Sequence, residues 1–281
     1  MFFRTFTTYP KITILSMQYE GVLNKMQTEF NTPIEYYLVF KSNFININQI
    51  LDRNIKIEFT GYECLNCGQH KKIFRQGFCY ECFYSSAQVG DWIMRPELST
   101  AHLGIEDRDL EYETKVQIQP HIVYLAVASD VKVGVTRKTQ VPTRWIDQGA
   151  SKAIEIVEVP NRYLAGITEV ALKDMFTDKT NWRKMLQNEV LETNLEEIRN
   201  SLKEKLPEEV RPYFDQTDSS IFNLNYPVIQ FPTKIKSLNL DKTPSYEGKL
   251  KGVKGQYLLF EDGTVFNIRT YEGYMVNIEV I

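Results

Sequence analysis

Apolar and polar positions alternate through Ile55-Lys-Ile-Glu-Phe-Thr60, the period of a half-buried strand. Glu35-Tyr-Tyr-Leu-Val-Phe40 has the aromatic and β-branched content of another, so residues 11–60 read as β-rich. Residues 95–120 show no clean periodicity and read as a linker, mostly loop. The pattern changes at His121-Ile-Val-Tyr-Leu-Ala-Val-Ala128 and Val131-Lys-Val-Gly-Val-Thr136, two β-branched runs joined by Ser129-Asp130. They predict a hairpin. Both runs are apolar on both faces, so the hairpin is expected at the centre of its sheet, covered by helices. Pro142 predicts the first turn of a short helix over 142–148, and a strand follows over 153–159. Leu164, Ile167, Ala171, Leu172 and Met175 recur at helical spacing across 163–176. Residues 181–205 read as a longer, more polar helix stopped by Pro207. The tail returns to strands at 248–250, 256–260, 264–269 and 274–280. Tyr19-Glu-Gly-Val-Leu23 and Tyr246-Glu-Gly-Lys-Leu250 nearly repeat, which permits the two ends to form related or paired sheets.

The 281 residues suffice for one large domain or several small ones. No run approaches the roughly 18 apolar residues of a membrane span, and the N-terminus lacks the pattern of a cleaved leader, so a cytoplasmic protein without a membrane partner is expected. The net charge of −3 argues against a protein that coats nucleic acid indiscriminately. The charge is uneven, however. Lys115, Lys132, Arg137, Lys138, Arg144 and Lys152 face only Asp130 and Asp147 over their stretch, a local basic excess that suits a polyanion.

Chemistry is most explicit in the cysteines. Cys64-Leu-Asn-Cys67 and Cys79-Tyr-Glu-Cys82 are separated by eleven residues, and no cysteine is left over. Each pair can place two thiolates on one cation from a tight turn, and Gly68 supplies the positive φ such turns use. Four thiolates favour zinc, with iron the main competitor, and leave no position open for water. The zinc is therefore expected to be structural. Lys71, Lys72, Phe74, Arg75 and Phe78 between the pairs make a basic, aromatic finger tip, suited either to phosphate and base or to packing.

Phe78-Cys-Tyr-Glu-Cys82, Met94-Arg-Pro-Glu97, Val123-Tyr-Leu-Ala126, Lys132-Val-Gly-Val-Thr-Arg137, Thr143-Arg-Trp-Ile-Asp-Gln-Gly-Ala150 and Asp178-Lys-Thr-Asn-Trp-Arg183 resemble domain-of-unknown-function family 2797, a prokaryotic family. The likeness extends to 251–257 and 267–269, nearly the whole chain. It is specific about membership and almost silent about function. Relatives often carry further Cys and His residues after the Pro96-Glu97 position. Here only His102 remains, so a second metal site is not expected.

Residues 121–186 also resemble, to a lesser degree, the GIY-YIG nuclease domain. Ile122-Val-Tyr124 stands for its first motif and Lys132-Val-Gly134 for its second, followed by Arg144, Glu169 and Asn181. The resemblance implies catalytic roles for Tyr124, Arg144 and Glu169. Tyrosine and arginine would position water and phosphate, and Glu169 would hold magnesium. The departures are the second-motif tyrosine, here Lys132, the first-motif glycine, here Ile122, and a short hairpin. Each residue also has an ordinary reading: Tyr124 as a core tyrosine, Arg144 stacked on Trp145, Glu169 as a solvated helix position, Gly134 as a site of close backbone approach.

The expectation is an α+β chain. Residues 1–60 form a β-rich module, 61–95 a zinc ribbon, 96–120 a linker, 121–215 a GIY-YIG-like α/β domain and 216–281 a small β-rich module. Nucleic-acid binding through Lys132, Arg137 and Lys138 is expected, with metal-dependent phosphodiester cleavage as its enzymatic form. A non-catalytic nucleic-acid-binding module and a protein-interaction adaptor with a structural zinc are the alternatives.

Overall fold

The computed structural model describes residues 16–176 and 181–281. Residues 11–15 of the first β-rich stretch and Asp178, Lys179 and Thr180 of the family motif lie outside the described residues. The described residues form three sheets and several short helices, a mixed α+β arrangement.

The largest sheet has seven strands and joins the first and last strands of the described residues. Its order is β1 (Met17–Val22), β14 (Tyr274–Val280), β5 (Asn54–Tyr62), β11 (Ser245–Lys254), β12 (Tyr257–Phe260), β13 (Thr264–Asn267) and β10 (Lys236–Ser237). The two near-repeats thus share one sheet without pairing: Tyr19 pairs with Ile278, and Tyr246 with Ile57. A three-stranded sheet, β2 (Gln27–Glu29), β3 (Glu35–Val39) and β4 (Phe44–Asn46), packs beside it.

The third sheet has the order β7 (Val131–Arg137), β6 (His121–Val127), β8 (Lys152–Val159) and β9 (Phe222–Asn223). All of β6 is buried, as its two apolar faces require. Its partner β7 is an edge strand, so only half of the expected central hairpin is central. Alternation along β6 divides the interior. Val123, Leu125 and Val127 meet α5 (Arg162–Leu172) and α7 (Leu195–Ser201) through Ala165, Leu172 and Leu195. Ile122, Tyr124 and Ala126 meet Trp145 and Ile146 of α4 (Thr143–Asp147) in the core shared with the other two sheets.

Helix boundaries follow their caps. Asn161 accepts from the Leu164 N–H and opens α5. The long helix expected over 181–205 is two helices, α6 (Trp182–Leu186) and α7, because Asn194 caps a new start through the Glu196 and Glu197 N–H groups. The segment read as loop before the hairpin carries α3 (Leu110–Gln117). Buried Glu113 anchors its start by accepting from the backbone N–H groups of Asp107, Arg108 and Asp109 at 3.0, 2.7 and 3.1 Å. The strand expected over 264–269 stops at Asn267. Its side chain accepts from the Arg269 N–H and opens a 3₁₀ turn over Ile268–Tyr271. That turn decides where Arg269 points.

Candidate functional site: a four-cysteine centre beside an arginine cavity

β5 runs directly into the first cysteine knuckle. Gly68, at φ +68°, donates to the Cys64 carbonyl at 2.8 Å and folds the turn back. Gln76 and Gly77, both at positive φ, close a tight hairpin between Arg75 and Phe78. Cys79 then precedes helix α1 (Tyr80–Ser85), which carries Cys82. The ligand atoms of Cys64, Cys67, Cys79 and Cys82 all lie within 4.8 Å of one another. Sulfurs around a tetrahedral zinc stand ~3.8 Å apart for Zn–S bonds near 2.3 Å, so the donor set fits zinc.

The surroundings favour thiolates. Burial opposes ionisation of Cys64, but backbone N–H groups of Cys67, Cys79 and Asn66 outweigh it and bring the thiol down to about 6. The Cys79 N–H stands 3.2 Å from that sulfur, and Asn66 Nδ2 stands 3.4 Å from the sulfur of Cys82. Cys79 moves the other way. The Cys82 N–H favours its thiolate, yet burial and the neighbouring Glu81, Cys82 and Cys64 side chains raise it to about 12. Four negative sulfurs in this volume need a cation to hold their charge together. Among the described residues this is the one group of three or more ligand side chains close enough for a metal. His102 instead stacks on Tyr163, with ring centroids 4.5 Å apart.

A cavity of about 280 Å³ opens between the β6–β7 hairpin, α4, the start of α5 and the Arg269 turn. Five cationic side chains line it, Lys25, Arg137, Arg144, Arg162 and Arg269, against the single carboxylate of Asp147. That carboxylate is already engaged, by Lys25 Nζ at 2.8 Å and Gln256 Nε2 at 2.9 Å. Arg162 donates to the carbonyls of Trp92 and Ile93 at 3.1 and 2.8 Å, and burial, with Arg137 and Arg144 nearby, lowers it to about 10. Arg137, Arg144 and Arg269 form no ion pair with any described residue. Thr136 and Trp92, both buried, line the same cavity, and neither Thr136 Oγ1 nor Trp92 Nε1 has a hydrogen-bond partner. Nearby His121 adds no further positive charge, since burial, with Arg162 and Arg137, lowers it to about 4. Guanidiniums without an ion pair, gathered in one cavity, are the complement of an oxyanion.

The expected site residues distribute around this cavity. Arg144 lines it and does not stack on Trp145, which is fully buried between Tyr124 and Phe222 at centroid distances of 5.7 and 4.9 Å. Tyr124 is sealed from solvent and donates to Gln148 Oε1 at 3.1 Å. Burial raises its pKa, opposed by Arg144 and Gln148. Gly134 exists in β7 to make room for it: a Cβ there would stand 2.7 Å from the tyrosine oxygen. Lys132 is half-buried, lowered to about 8 by burial and by Arg144. Arg137 lines the cavity, whereas Lys138 is exposed and paired with Glu158 at 2.7 Å. Glu169 lies outside the lining, within electrostatic reach of Arg162 and Arg144.

Sequence reasoning missed Lys25, Arg162 and Arg269. Arg162 had a signal: a cation in the first turn of a helix works against the helix dipole and needs another reason to be there. Arg269 sat in a stretch of family likeness with no role attached, and Lys25 gave no signal.

Burial raises the Glu169 carboxyl to about 7, with Arg162, Arg144 and Lys173 pulling down and Glu97 pushing up. The unfolded chain ionises this group near its ordinary 4.5, so the folded protein holds the extra proton between those values. Stability present below 4.5 is therefore lost as the pH rises to about 7, and stays lost above. Glu155, also raised to about 7 by burial and Glu158, adds a loss of the same sign. Glu169→Gln protein should lose less stability in thermal unfolding as the pH rises from about 5 to about 8. Identical slopes for the two proteins would contradict it.

The chain belongs to the family described as Protein of unknown function (DUF2797), which it matches over residues 52–276. That span holds the four cysteines and every arginine of the cavity. No curated protein and no solved structure matches the chain. No helix among the described residues is long and apolar enough to cross a membrane.

Proposed function

We propose that this protein binds nucleic acid by its phosphates, in the cavity lined by Arg137, Arg144, Arg162 and Arg269, with a structural zinc holding the adjoining ribbon in place. One observation carries the reading: three of these guanidiniums, Arg137 and Arg144 half-buried and Arg269 exposed, line one cavity and form no ion pair with a described residue. The arginine fork suits phosphate because two N–H groups meet two oxygens at once. Binding of a labelled oligonucleotide to the zinc-loaded protein should weaken roughly 20- to 50-fold between about 50 and 200 mM salt, as expected for three or four neutralised phosphates on a single strand. Salt-independent binding, or none, would end the proposal.

A second reading, phosphodiester cleavage, has its own support. The charge of Arg144 acts both on the Tyr124 hydroxyl and on the Glu169 carboxylate, so the three implied catalytic positions share one electrostatic neighbourhood. A magnesium ion at Glu169 would stabilise a leaving oxygen. Arg144 would bind the phosphate. Tyr124, sealed and hydrogen-bonded to Gln148, would act as a positioning residue. Incubating the same protein with plasmid and magnesium separates the two readings: nicking lost in Glu169→Gln while binding persists supports cleavage, and no nicking leaves binding alone.

A further inference from the structure

We propose that the exposed rings of the cysteine ribbon stack the bases of a single-stranded nucleic acid whose phosphates lie in the arginine cavity, so that the ligand is a single strand and not a duplex. This rests on the phosphate reading above and adds what flanks the phosphate.

Tyr80 and Tyr84 lie one helical turn apart on α1, 60% and 56% exposed, with ring centroids 4.9 Å apart. Phe74, 40% exposed, meets both rings and Phe83 at 5.2, 5.9 and 5.3 Å. The Arg75 guanidinium lies 5.3 Å from the Phe74 ring. Neither tyrosine hydroxyl has a hydrogen-bond partner among the described residues. Rings needed to close the ribbon would be buried, and that role is already filled by Phe78, Val89 and Ile73 around the cysteines.

Phe74 connects the cluster to the arginine cavity: it lines a second cavity beside it, and Tyr80 and Tyr84, which line neither cavity, pack on its ring. This second cavity, of about 450 Å³, has Phe74, Arg75 and Phe78 on one side and Arg269 and Glu272 on the other, the Arg269 charge acting on the Glu272 carboxyl. Arg269 bounds the arginine cavity as well, and so does Gln88 at the end of the ribbon. One arginine is thus shared between the phosphate site and the aromatic wall. A strand with its phosphates in the first cavity would pass its next bases across the second. Bases in a duplex have both faces covered by their neighbours, whereas a single strand can lay them on protein rings.

The test uses the zinc-loaded full chain, with anisotropy of a short oligothymidylate, an abasic strand of the same length and the corresponding duplex. The wild type should prefer oligothymidylate over the abasic strand by about fivefold to a hundredfold, the range for stacking of one base. Tyr80→Ala and Tyr84→Ala should each remove most of that preference while leaving zinc content, abasic-strand affinity and salt dependence unchanged. Both side chains are exposed, so the fold does not depend on them. Wild-type affinity in both variants, or equal wild-type affinity for the abasic strand or the duplex, overturns the inference and leaves the phosphate reading standing. Failure of all three probes to bind overturns both.

Discussion

Cys64→Ser protein is expected to purify without zinc and with residues 63–89 open to protease. Cys64 is buried and receives the N–H groups that bring its thiol down to about 6. Serine keeps the shape but not the ionisation, so one charge and one ligand go together. A structural zinc contributes roughly 10–16 kcal/mol of binding free energy, as much as the whole stability of an ordinary domain. The ribbon has little else. Its apolar cluster is the cysteines themselves with Phe78 and Val89, edged by Ile73 and Phe83, and is separate from the main core. It is tied to the large sheet by backbone bonds such as Glu63 N–H to the Gly273 carbonyl at 2.9 Å. The sheets should therefore still unfold cooperatively, at a midpoint lowered by several degrees. Elemental analysis checks the first part, where wild type should hold one zinc per chain, and limited proteolysis the second. A serine variant that keeps its metal, or a zinc-free one as protease-resistant as wild type, would contradict the assignment.

The cysteine centre was legible because its signal is local: two pairs at fixed spacing, each on its own turn. β6 was legible for the same reason, since a run apolar on both faces has few places to go except the middle of a sheet. β7 misled because Val131, Val133 and Val135 give it the same composition, yet four of its seven residues stay partly open at the sheet edge. The arginine cavity was legible only in part. Arg137 and Arg144 fall in the basic stretch that sequence marks, but Lys138 from the same stretch turns to Glu158. Lys25, Arg162 and Arg269 arrive from segments far away along the chain. Their convergence depends on β5 lying between β14 and β11, and on Asn267 ending its strand two residues early. Long-range pairing of this kind leaves no periodic trace in one sequence.

Reversing one charge in the cavity should separate function from fold. Arg144→Glu is expected to weaken oligonucleotide binding by about a hundredfold or more. A charge-assisted hydrogen bond contributes about 1.5–3 kcal/mol, and the new carboxylate adds repulsion of the phosphate to that loss. The fold should not suffer. Arg144 makes no ion pair with a described residue, and its charge lowers the pKa of both Lys132 and Arg162, which is to say that it destabilises their charged forms. Removing it relieves that repulsion, so the unfolding midpoint should stay level or rise by a few degrees. Loss of binding with gain of stability is the signature of a residue kept for its ligand and not for the core. Arg144→Lys tests the geometry of the contact: the charge returns but the two-pronged fork does not, and affinity should recover only in part. If instead Arg144→Glu lowers the midpoint by many degrees while oligonucleotide affinity holds, Arg144 serves Tyr124 and the core, and the cavity is not where phosphate binds.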